Sequence, residues 1–198
     1  VIAAVRAAAA GRAEVGVEYP VNIPEISAVL VPNYISSMLD LNLLAVPGNV
    51  QFLEGDLGSA LKVMETGCGV LLAPGAAERN GVGVGDTLSI TSKDGPLDCT
   101  VTGIVAGGML PVSFISPAVK EHFEVGDPTS IIVFPHPGID RPALEADLQA
   151  IDDRFGDGAW LMRWEEGVAT VGESADRVLG LMSSLLVLGV LAAALGLV

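Results

Sequence analysis

The last 21 residues of the chain, VLGLMSSLLVLGVLAAALGLV from 178 to 198, contain no charged side chain. A helix of that length is roughly 30 Å long at about 1.5 Å per residue, which matches the hydrocarbon thickness of a bilayer. Ser183 and Ser184 do not oppose burial in lipid, because a hydroxyl bonds back to a carbonyl of its own helix. The run therefore predicts a transmembrane helix, and its place at the end of the sequence separates it from a secretory leader. Everything before it must fold as a body joined to that span, with residues 165–177 as a connecting helix.

The charge balance narrows what such a body can meet. Against 24 acidic residues stand 10 basic ones, for a net charge of −14, which argues against nucleic acid as a partner. The flank of the apolar run holds Glu165, Glu166, Glu173 and Asp176 against Arg163 and Arg177. Topology follows an excess of Lys and Arg on the cytoplasmic side, so this flank fits the outside. Trp160 and Trp164 share one face of an expected strand, 159–164, where they anchor at a membrane interface or pack in the core.

Between the ends, helical and strand signals alternate in an α+β order. The alanine-rich start stops at Gly11 and feeds a strand over 15–19. A strand is expected over 26–32, then a short helix or irregular segment over 33–49. A helix follows over 59–67, capped by Ser59, and then a short strand in GVLLAP. Pro74 opens and Gly81 closes another short helix. DTLSITS and LDCTVTGIV flank Asp94-Gly95 as a hairpin, with Leu88, Ile90, Leu97, Cys99 and Val101 on its core face. Gly103 marks a bulge or a close approach. After SFIS, a helix in PAVKEHF and a strand in SIIVFP comes a longer helix from Pro142, with a core stripe of Leu144, Leu148, Ile151 and Phe155.

Chemistry is sparse along this order. GVGVGD, residues 81–86, invites a phosphate-loop reading, but its spacing fits neither GxGxxG nor GxxxxGK[ST], a strand follows it, and Asp86 would repel phosphate. We read it as a turn. Cys68 and Cys99 have no zinc spacing; an extracytoplasmic setting would let them pair, but two separate buried thiols are the expectation. His122 and His136 lack a companion ligand nearby in sequence. Asp152 with Asp153, and Glu165 with Glu166, are neighbours that point apart and read as solvated charge. No catalytic, cofactor-binding or metal residue is assigned.

Within this frame GVLLAPGAAERNGVGVGDTLSITSKDGPLDCTVTGIV resembles the MacB-like periplasmic core domain of FtsX-like ABC transporter permeases. The matching positions are Val70 to Ala73, Ala76 and Ala77, Gly83 to Leu88, and Val101 to Ile104. PTSIIVFP and the acidic stretch running into the apolar helix are also similar, and the first 60 residues match least. The resemblance implies an extracytoplasmic core domain over 1–164, a connecting helix over 165–177 and a membrane helix over 178–198. It implies a non-catalytic permease part in the cell membrane, without a cofactor. Its expected partners are an ABC ATPase subunit, a second permease and membrane lipid, and its expected role is export, lipid or lipoprotein release, or mechanical signalling. The competing expectation is a membrane-anchored sensor or adhesin domain.

Overall fold

A computed structural model describes residues 1–27, 36–47, 49–107 and 113–156. The expected strand over 159–164 with its two tryptophans, the connecting helix and the membrane helix lie outside the described residues. Among the described residues no helix is long and apolar enough to cross a membrane.

Residues 1–156 form one compact α+β unit. The elements are α1 (Ile2–Ala9), β1 (Ala13–Val21), β2 (Ser36–Leu39), α2 (Leu41–Leu44), β3 (Val50–Gly55), α3 (Leu57–Met64), β4 (Gly69–Leu72), α4 (Pro74–Asn80), β5 (Thr87–Ser92), β6 (Gly95–Gly107), β7 (Phe114–Ile115), β8 (Ser130–Pro135) and α5 (Arg141–Phe155). The short helix expected in PAVKEHF is present as a 3₁₀ helix, Pro117–His122. The described strands make one mixed sheet in the order β3-β6-β4-β7-β2-β1-β8, with β5 also on β6.

β6 organises one half of that sheet. Thr100 pairs with Thr87 of β5 on one side and Gly69 of β4 on the other, and Ile104 pairs with Glu54 of β3 and Leu72 of β4. β5 and β3 therefore follow one another along the same edge of β6. The expected hairpin is present: Leu88 faces Cys99 and Ile90 faces Leu97 across the ladder, with Leu88, Ile90, Cys99 and Val101 buried. Gly103 sits where the register of β6 with β4 shifts, between the Val70 and Leu71 pairings, and a Cβ there would lie 2.8 Å from the Phe52 ring and 3.0 Å from Leu71. The expected bulge and the expected close approach are both found at this residue.

The central strands β4, β7 and β2 are buried on both faces. Val70 and Leu72 of β4, Ile115 of β7 and Met38 of β2 join a cluster with Ala76 and Ala77 of α4 and with Val119 and Phe123. The alternate residues Leu71, Phe114 and Leu39 join Leu43, Leu44, Ala60 and Met64 of α2 and α3. Burial on both sides is why GVLL reads as a continuous apolar run instead of an alternating one.

Several expectations are corrected. Ile26 and Ser27, placed in a strand over 26–32, lie in a turn closed by N–H groups of both residues on the Ile23 carbonyl, at 3.2 and 3.0 Å. The segment expected to be helical or irregular supplies β2 as well as α2. β3 was not expected; its outer face is exposed and a bulge interrupts it, which erases the alternation that announces a strand. β1 runs two residues past each end of the expected 15–19, through Pro20 to Val21. Ser59 does not cap α3: Asp56 does, its carboxylate accepting the Ser59 N–H at 2.9 Å. Leu144 and Leu148 of the α5 stripe are buried and Ile151 half-buried, but Phe155 is 40% exposed.

Candidate functional site

Five main-chain donors of the glycine turn are engaged within the protein. The Gly81 N–H goes to the Glu78 carbonyl at 3.1 Å and that of Val82 to Ala77 at 3.1 Å. Gly83 donates to the Asp86 carboxylate at 2.8 Å, Gly85 to the Val101 carbonyl at 2.8 Å, and Asp86 to the Gly83 carbonyl at 3.1 Å. A phosphate cradle requires several such N–H groups to converge on one open position. Here the loop's own carboxylate takes the place an anion would need. Positive φ at Gly81 and Gly85, 64° and 93°, lets the chain leave α4 and enter β5.

The titratable side chains form scattered pairs. His122 Nδ1 lies 3.0 Å from Asp94 Oδ2, and His136 Nε2 lies 3.4 Å from Glu14 Oε1. These companions are remote in sequence, so spacing could not reveal them. Asp152 and Asp153, read as pointing apart, both accept from the Gln149 amide, at 3.3 and 2.9 Å. Among the described residues no three His, Cys, Asp or Glu side chains are grouped to hold a metal ion. Glu18 is a cross-strand tie: Ser37 of β2 and Ser130 of β8 donate to its two oxygens at 2.5 and 2.6 Å.

Cys68 and Cys99 form a disulfide, which corrects the expectation of separate thiols. Cys68 directly precedes β4 and Cys99 lies within β6, and the Thr100 N–H donates to the Cys68 carbonyl at 2.8 Å, so parallel pairing sets the two Cα atoms 4.6 Å apart. That separation suits a bridge. The signal was present in the sequence: both residues adjoin segments read as strands, and the acidic flank already pointed outside the cytoplasm, where disulfides persist.

Where the chain enters and leaves the unit follows from β1 and β8. They are antiparallel, with Ala13 opposite Pro135, so the links from α1 into β1 and from β8 into α5 lie at the same end of the pair. α1 then runs back along β1: Arg12 at its base reaches the Ala8 carbonyl and, at 2.6 Å, Asp147 of α5, while Arg6 is level with Asp40, which accepts the Val17 N–H. α5 packs against α1, and Val5 and Ala9 of α1 and Leu144 and Leu148 of α5 are buried. The C-terminus of α1 and the N-terminus of α5 therefore lie at the same end of the β1–β8 pair. No protein-family model and no curated protein matches the chain.

Proposed function

We propose that this chain carries the extracytoplasmic domain of an FtsX-like, MacB-like ABC transporter permease. It is a non-catalytic body that couples ATP hydrolysis by a cytoplasmic partner to export, lipid or lipoprotein release, or mechanical signalling. The observation that carries this reading is the pairing of α1 with α5. A domain inserted between two consecutive membrane helices needs its first and last elements side by side, and the contact of α1 with α5 supports that reading. The disulfide supports placement on the oxidising side of the membrane. The apolar run 178–198 supplies the proposed span that follows the domain.

In this reading the work is mechanical. Motion of the membrane helices reaches the sheet through α5 and α1, and a body whose central strands are covered on both faces moves as one piece. The test is affinity purification of the full-length protein from membranes. A stoichiometric ABC ATPase subunit or domain, with ATP hydrolysis that depends on assembly, is the expected result. A protein with one membrane span and no ATPase would overturn the proposal in favour of an anchored sensor or adhesin.

A further inference from the structure

Asn80, the last residue of α4, is the only asparagine in the chain followed by glycine. Its side-chain amide donates to the Ala76 carbonyl at 2.8 Å and to the Glu25 carbonyl at 2.7 Å. Its neighbour Arg79 donates to the carbonyls of Glu25 and Ser27, at 3.4 and 2.5 Å. These bonds fasten the turn over 23–27, whose Ile23 and Ile26 are fully buried, to the end of α4.

The fastened turn closes part of a sheet edge. In the β5–β6 hairpin the register turns the main-chain groups of Thr91 and Lys93 away from β6. The Thr91 N–H and hydroxyl donate to Glu25 Oε1 at 3.2 and 2.7 Å, and the Lys93 N–H donates to the His122 carbonyl at 3.1 Å. Open N–H groups on an edge invite another strand, and covering them prevents it. The cover is not fully satisfied: among the described residues, buried Glu25 Oε2 has no hydrogen-bond partner. A desolvated carboxylate oxygen opposes closure, so the turn depends on its fastenings to α4.

We propose that Asn80-Gly81 is a modification site, at which deamidation of Asn80 unfastens the 23–27 turn and bares the edge of β5. In that reaction the deprotonated Gly81 nitrogen attacks Asn80 Cγ, a C–N bond forms, the Cγ–Nδ2 bond breaks, and ammonia leaves. Water then opens the cyclic imide to aspartate or isoaspartate. While the turn is fastened, Nδ2 is held by two carbonyls and the Gly81 N–H is engaged with Glu78, so attack requires the last turn of α4 to open. The ionised product has no donor for either carbonyl, so it cannot refasten. The site thus registers openings irreversibly, and it does not depend on the permease reading.

The test follows the full chain in detergent micelles in mildly alkaline buffer, with peptide mapping for isoaspartate and the one-dalton mass gain. Conversion at residue 80 is expected in the folded protein at a rate roughly ten-fold or more below that in urea, as for any reaction gated by local opening. Hydrogen exchange at Thr91 and over 23–27 is expected to accelerate by about ten-fold or more in the deamidated wild type and in Asn80→Asp, but not in Asn22→Asp. The deamidated wild type keeps the test decisive if the variant does not fold. Equal rates in the folded and unfolded chains, no conversion in the folded protein, or unchanged exchange at Thr91 after conversion would overturn the proposal.

Discussion

Gly83 and Gly85 look equivalent in the string GVGVG and differ in what the backbone asks of them. Gly85 has φ of 93° with open space around it, so a side chain there is opposed by conformation alone. Gly83 is not in the left-handed region, and an added Cβ would lie 3.8 Å from Asp86 Oδ2, an ordinary contact. Gly85→Ala is therefore expected to destabilise the unit by about 1 kcal/mol or more, and Gly83→Ala by no more than about 0.5 kcal/mol, in urea titrations. The turn itself was legible in the sequence from the strand that follows it, whereas the separate duties of its glycines depend on φ angles that composition does not encode. Asp56 shows the same limit, since Asp and Ser both cap helices and only the structure selects between them. The main-chain N–H of Ser59, and then its hydroxyl, hold the Asp56 carboxyl below its ordinary value of 3.8. A depressed folded pKa contributes stability above the unfolded value and loses it as pH falls through the folded one. The stability gap between wild type and Asp56→Ala is accordingly expected to be full above pH 3.8 and to close below it, as read by urea midpoints across that range.

Elements were legible in proportion to how far their own pattern decided them. The β5–β6 hairpin carried alternation, β-branched residues and an Asp-Gly turn, and its register matches the expected core face. β2 and β3 carried little: Ser36 and Ser37 are buried polar residues in a four-residue strand, and β3 is an interrupted edge. Tertiary pairing makes both of them strands, β2 between β1 and β7 and β3 along β6. The disulfide belongs to the same category, because it depends on β4 and β6 being parallel neighbours. It closes a separation of 31 residues, for which loop entropy gives a stabilisation of about 3 to 4 kcal/mol. Cys99→Ala, or reduction of the wild type, is expected to lower the stability of the oxidised protein by that order in urea titrations. The oxidised protein is expected to show no thiol reactive to alkylation until a reductant is added.

At the scale of the molecule, residues 1–156 hold two apolar clusters, each covered by helices from within the same stretch. A fragment ending at Gly156 and made under oxidising conditions is expected to unfold cooperatively in urea, with fluorescence and circular dichroism changing together. Noncoincident transitions would place part of its core beyond that residue. The α+β class was legible from the alternation of signals, but the sheet order was not. That order depends on one strand, β6, meeting three partners, and no local pattern announces a strand that does so.

The placement of α1 and α5 on neighbouring strands has a consequence for how the unit bears load. Among the described pairings, β1 and β8 join the rest of the sheet through the ladder of β1 with β2, from Glu18 opposite Leu39 to Val21 opposite Ser36. A pull delivered along α1 and α5 converges on that short ladder. The residues beside it are the ones that rivet it: Asp40 holds Arg6 and the Val17 N–H, and Glu18 holds Ser37. Under tension this seam is expected to yield first, and Ser37 with the carboxylates of Glu18 and Asp40 helps to set the force at which the edge pair peels from the body.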